Sequence, residues 1–173
     1  LYRHRHAAED IKAERVFLHQ KNLLFIEQYI REHLSEELNL EQLAGLCNLS
    51  PTYFHSVFTD FFRKTPAQFI LDCRITAAKT GLLTGDYSLA ELAADFHFSE
   101  NYLIRIFRDN MGLTPHAFVN AARVRKAKLL LLTSNITAER VAYECGFADY
   151  AHFYRMFRRD TGSSPKEYRQ EML

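Results

Sequence analysis

The chain has 173 residues, 47% of them hydrophobic, with only 6 glycines and 4 prolines. That is apolar material for one ordinary domain or two small ones, and it excludes wholesale disorder. The formal net charge of +1 points to no polyanionic partner by itself, so basic charge carries information here only through its distribution.

Leu, Ala, Glu and Arg outweigh Val and Thr, which favours helix over sheet and predicts an all-α fold. Cys47, Cys73 and Cys145 stand far apart with no CxxC pair. They read as reduced, buried thiols of a cytosolic protein. Leu129 to Leu132, an apolar run as long as any in the chain, falls far short of the roughly 18 residues of a membrane span. The N-terminus is polar and charged, unlike a signal peptide. A start at Leu1 instead of Met reads as a piece of a longer chain, or a trimmed one. The eight histidines show no metal-ligand spacing, so neither metal nor cofactor is expected.

Residues 1–37 read as a helical lead-in or linker. Arg3, His4, Arg5 and His6 give it a basic start, more in keeping with a solvated linker than with a DNA contact.

Beyond the lead-in the chain repeats itself. Leu40, Leu43, Ala44, Leu49, Ser50, Tyr53, Phe58, Pro66 and Phe69 recur 49 positions on as Leu89, Leu92, Ala93, Phe98, Ser99, Tyr102, Phe107, Pro115 and Phe118. Arg74, Ala78, Leu82, Leu83 and Thr84 return as Arg123, Ala127, Leu131, Leu132 and Thr133. A third copy follows: Ala142 and Phe147 at the same spacing, then Phe157, Pro165 and Tyr168 after a one-residue insertion. The copies span roughly 38–85, 86–133 and 134–173. A generic helical solenoid has such periods, but it keeps no turn chemistry of the kind seen here.

Each copy reads as short helix, tight turn, longer helix. Asn39 and Thr137 suit N-caps of the short helices, and Ser88 with Glu91 has capping-box spacing. Asn48, His97 and Gly146 occupy equivalent turn positions, and all three residue types tolerate positive φ. The next residue, Leu49, Phe98 or Phe147, is apolar in every copy and plugs the angle between the helices. Ser50 and Ser99 suit N-caps of the longer helices, with Pro51 in the first turn. Leu103, Ile106 and Phe107 form one apolar stripe, and Phe153, Met156 and Phe157 another.

The opposite faces differ in kind. Asn101, Ile104, Arg105 and Arg108 point outward in the second copy. Tyr150, Ala151, Tyr154, Arg155, Arg158 and Arg159 do so in the third. Arginines on the outer face of the second helix of such a pair suit a recognition helix in the major groove, since the guanidinium fork bonds guanine or phosphate bidentately. A merely solvated charged face is the plain alternative. Long helices from about Pro66 to Leu83 and Pro115 to Leu132 connect the copies. About 17 residues span roughly 26 Å, a reach suited to successive grooves about 34 Å apart. For Arg123, Arg125, Lys126 and Lys128 on the second connector, phosphate contact and solvation stand as equal readings.

Residues 126–169, KAKLLLLTSNITAERVAYECGFADYAHFYRMFRRDTGSSPKEYR, resemble the signature of the AraC/XylS family of bacterial transcription regulators. The ECGF turn, the aromatic-rich helix, FRR and TGSSPKEYR all match, and residues 86–173 look like one complete DNA-binding domain of that family. The resemblance implies homeodomain-like three-helix units in a seven-helix domain gripping one face of double-stranded DNA. It also implies a sequence-specific activator that engages RNA polymerase in the bacterial cytoplasm, at the nucleoid. By matching position, Asn101, Ile104, Arg105, Tyr150, Ala151, His152, Tyr154 and Arg155 would face bases. Arg108, Arg158 and Arg159 would lie nearer the backbone.

The first copy departs from this layout. Residues 22–70 resemble a first helix-turn-helix of the family with its leading helix, making three motifs where two are usual. Ser56 and Thr59 stand in place of Arg105 and Arg108, beside Asp60. Residues 38–85 are therefore expected to bind DNA weakly or not at all, and to pack on the second copy or contact a protein. Three copies reading three grooves is the rival. No enzyme is expected, because no Gly-rich phosphate loop, HExxH or nucleophile elbow occurs. A helical protein-interaction module remains the competing function.

Overall fold

The computed structural model describes residues 21–171. The basic start and most of the lead-in, including Arg3 to His6, lie outside them. Among the described residues there are helices and no strands, as expected for an all-α chain. Helix α1 covers residues 21–32. It is followed by α2 (Leu40–Leu46), α3 (Pro51–Phe62), α4 (Pro66–Thr84), α5 (Leu89–Asp95), α6 (Glu100–Met111), α7 (Pro115–Thr133), α8 (Ala138–Glu144), α9 (Tyr150–Thr161) and α10 (Pro165–Glu171). The connectors α4 and α7 each run one residue beyond the expected end. No helix among the described residues is long and apolar enough to cross a membrane.

The short helices begin where the caps place them. Asn39 accepts from the Gln42 amide at 2.8 Å, and Thr137 from the Arg140 amide at 3.2 Å. Each removes one of the amide donors that a helix start leaves unsatisfied. Ser50 caps α3 ahead of Pro51. Asp149, which the periodicity did not single out, caps α9 through the His152 amide at 2.7 Å. At α10, Ser164 and Glu167 form a reciprocal box, with the Ser164 amide donating to Glu167 Oε2 at 2.7 Å and the Glu167 amide to Ser164 Oγ at 3.2 Å. Those bonds hold the Glu167 carboxyl below its ordinary pKa.

All three short helices end alike. Asn48, His97 and Gly146 have φ of 54°, 57° and 85°. The following amides, of Leu49, Phe98 and Phe147, donate back to the carbonyls of Ala44, Ala93 and Ala142 at 3.0, 2.8 and 3.0 Å. The turn residues' own amides bond to Gly45, Ala94 and Tyr143. This is the Schellman closure, which requires a left-handed residue at its bend. The three alanines are buried, where any larger side chain would hold the two helices apart.

The described residues divide into two compact units. The first takes the chain up to Thr80 together with Ala90–Glu100. Its core gathers Leu23, Ile26 and Ile30 of α1, Leu43 and Ala44 of α2, Phe54 and Phe58 of α3, and Ile70 and Cys73 of α4. The second unit takes Gly81–Leu89 and Asn101 onward. One core cluster there joins Val124, Ala127 and Leu131 of α7, Val141 and Ala142 of α8, Phe147, and Phe153 and Phe157 of α9. On α6 the expected stripe of Leu103, Ile106 and Phe107 is buried, with Phe107 edge-on to Phe118 at 5.4 Å. All three cysteines are buried free thiols, and burial pushes each thiol's pKa up.

Thr137→Ala removes the cap of α8 without touching the core. It should lower the unfolding free energy by about 1 kcal/mol, within the usual range for such caps, as read from urea denaturation with an unchanged m-value.

Candidate nucleic-acid interface

Helices α6 and α9 are each 12 residues long and are equivalent by repeat. Each commits one face to the core, so its remaining positions are turned outward by the helical period. On α6, Asn101, Arg105 and Arg108 are exposed and Ile104 is half-buried. Arg105 lies over the ring of Tyr102 one turn back, its guanidinium carbon 5.2 Å from the centroid. On α9, Ala151, Arg155, Arg158 and Arg159 are exposed, while Tyr150, His152 and Tyr154 are half-buried.

The half-buried residues of α9 have identifiable partners. Tyr150 packs on the core cluster, and burial raises its phenol pKa. Its ring neighbours Tyr154 at 6.2 Å. His152 stacks on His116 of α7 at 6.3 Å and meets the edge of Phe147 at 5.6 Å. Arg158 and Arg159 lie in the last turn of α9, where cations also complement the negative end of the helix dipole. Arg159 lines a shallow cavity of about 280 Å³ with Asp160, Met156 and Asn120.

The four basic residues of α7 divide once their neighbours are seen. Lys126 donates to the Glu144 carbonyl at the end of α8 at 2.6 Å. Lys128 bridges to Asp160 at 2.6 Å. Arg123 is half-buried over the ring of Phe147, 5.8 Å from its centroid. Arg125 is exposed. Arg169 of α10, which spacing had not marked for any role beyond the resemblance, donates to the carbonyls of Leu131 at 3.0 Å and Ile136 at 2.7 Å. It joins the end of the connector to the segment leading into α8. The repeat of Arg74 as Arg123 was the one sequence signal that either connector arginine had a fixed place.

The corresponding helix of the first copy offers a different surface. Ser56 and Asp60 of α3 are exposed and Thr59 is half-buried. Tyr53 and Phe61 also present large apolar surface there, 48% and 41% exposed. Among the described residues no group of His, Cys, Asp and Glu is arranged to hold a metal ion.

Fold and surface together define an all-helical protein of tandem helix-turn-helix motifs. A family model described as "Helix-turn-helix domain" matches twice, at residues 43–100 and 92–171. The chain belongs to this AraC-type helix-turn-helix family of transcription regulators. It is similar to the MmsAB operon regulatory protein of Pseudomonas aeruginosa, at 35% identity over 144 residues and 83% of this chain. It spans only 31% of that relative's length. Among solved structures it is similar to the DNA-binding domain of AdpA, a global transcriptional factor, in complex with a target DNA. Identity there is 31%, the TM-score 0.52, and 57% of this chain and 91% of that one are covered. An AraC-type transcriptional regulator from Chromobacterium violaceum, at 18% identity and TM-score 0.54 over 57% of this chain and 89% of its own, shares the fold.

Gly146 carries the sharpest local demand. Its φ is +85°, and a Cβ there would lie 3.3 Å from Arg123 Nε. Gly146→Ala should therefore cost about 1–2 kcal/mol, the left-handed penalty for an L-residue, in a denaturant melt. An unchanged midpoint would mean the turn relaxes freely.

Proposed function

We propose that residues 86–173 are the DNA-binding domain and that α6 and α9 enter successive major grooves of a duplex. The observation that carries this reading is that exposed arginines recur on both helices, and that both helices, from Asn101 onward, belong to one compact unit with the connector α7. At 19 residues, α7 is about 28 Å long. AdpA's DNA-binding domain, solved on its target, supports the same use of this fold. Asn101, Ile104, Arg105, Tyr150, Ala151, His152, Tyr154 and Arg155 are assigned to base edges. Arg108, Arg158 and Arg159 are assigned to phosphates.

The reading extends to an activator of transcription that contacts RNA polymerase in the bacterial cytoplasm, at the nucleoid, with no catalytic step. Residues 38–85 are assigned a supporting role without DNA reading. A helix that offers Ser56, Thr59 and Asp60 in place of arginines has no Lys or Arg along its length to neutralise phosphate, and its exposed Tyr53 and Phe61 fit a protein contact better.

Arg155→Ala is expected to weaken binding to a selected duplex by about 1–3 kcal/mol and to relax preference at one base position, as for a lost bidentate contact. Ser56→Ala should stay within about 0.5 kcal/mol, the ordinary range for a surface change. Fluorescence anisotropy across a salt series reads both. A steep fall of log K with log[salt] is required of the parent chain. Equal losses from the two substitutions would reinstate the first copy as a DNA reader.

A further inference from the structure

Arg74 on α4 and Arg123 on α7 occupy equivalent places in successive copies. Each lies over an aromatic ring, Arg74 at 5.4 Å from the Phe98 centroid and Arg123 at 5.8 Å from that of Phe147. Phe98 and Phe147 are also equivalent, each following the left-handed turn residue of its motif. The first copy lacks both partners together: Phe25 stands where the arginine would be and Leu49 where the ring would be. Arginine and ring thus come and go as a pair within one chain.

The donors of Arg74 are committed inside the protein. Its Nε donates to the Leu34 carbonyl at 3.0 Å and Nη2 to the Glu36 carbonyl at 2.8 Å. Burial lowers its pKa from the ordinary value. At the turn it covers, His97 Nε2 lies 2.9 Å from the Ser35 carbonyl, adding a second tie. The third copy has Gly146 in place of His97, so its turn has no side chain to make such a bond. There the guanidinium of Arg123 itself lies close over the turn, 3.3 Å from where a Cβ would stand.

We propose that Arg123 is a positioning residue: its guanidinium, laid on Phe147, clamps the turn at Gly146 and fixes the direction in which α9 leaves it, and Arg74 holds the turn at His97 in the same way. Neither arginine serves as a phosphate ligand. The consequence for recognition rests on the reading of α9 as a DNA-reading helix. A planar guanidinium covers a ring face and an ammonium does not reproduce it, so lysine is a poor substitute for a clamp. For a phosphate contact, lysine is a good one.

The test uses the full chain with Arg123→Ala and Arg123→Lys, measured on a selected duplex and a random duplex over a salt series. Both variants should lower the ratio of selected to random affinity by about threefold to thirtyfold, the range of a cation–ring contact. The slope of log K against log[salt] should stay that of the parent. A slope reduced by about one in Arg123→Ala, with affinity restored by Arg123→Lys, would make Arg123 a phosphate ligand and overturn the clamp.

Amide exchange at Gly146 and Phe147 in the free protein tests the clamp without DNA. It should accelerate in Arg123→Ala, and Arg123→Ala should add little in a Phe147→Leu background. If Phe147→Leu fails to fold, Arg74→Ala with Phe98→Leu supplies the same cycle on a half-exposed ring. Unchanged exchange overturns the clamp. A parent chain with no salt-dependent duplex binding overturns the DNA reading and leaves the exchange result standing.

Discussion

The left-handed residue at the end of each short helix is the constraint on which the rest depends. With φ between 54° and 85° at Asn48, His97 and Gly146, the chain turns within two residues and returns an amide to a buried alanine carbonyl. The geometry requires three things at once: a residue that tolerates positive φ, a small side chain where the helices cross, and an apolar residue to seal the bend. Each copy meets all three with a different residue at the turn, and with Leu49 once and Phe twice at the seal. That interchange shows the demand is conformational rather than chemical.

The outer faces follow from that bend. Once the second helix of a motif has its inner stripe committed, the residues at its remaining positions must be solvated or occupied by a partner. On α6 and α9 those positions hold arginines and polar groups; on α3 they hold Ser56, Thr59 and Asp60. One backbone plan therefore supports two surface chemistries in a single chain. The division of labour proposed for the copies lives in a few outward side chains.

Much of this was legible before any coordinates. The three turns, the caps at Asn39, Ser50 and Thr137 and the buried stripe of α6 follow from short-range rules and appear where those rules put them. On α9 Phe153 and Phe157 are buried while Met156 of the expected stripe is half-buried, and both connectors run one residue further than expected. The long side chains were not legible. Arg123, Lys126 and Lys128 lie within six positions on one helix. Yet one covers a ring, one ends a neighbouring helix and one pairs with Asp160. Periodicity assigns a Cβ direction, whereas the reach of four or more rotatable bonds is settled by carbonyls and rings distant in sequence. The same limit applies at the candidate interface. Tyr150 satisfies the outward pattern of α9 and the resemblance adds His152, but their rings are large enough to fold back on Phe153, Phe147 and His116.

The central claim is that two copies of this motif read DNA while the first does not. The most direct measurement is the footprint of the full chain on duplexes enriched from a random pool. The account predicts enrichment of a defined sequence and protection of about 20 base pairs, two helical turns. Protection of about 30 base pairs, or no enrichment at all, would contradict it.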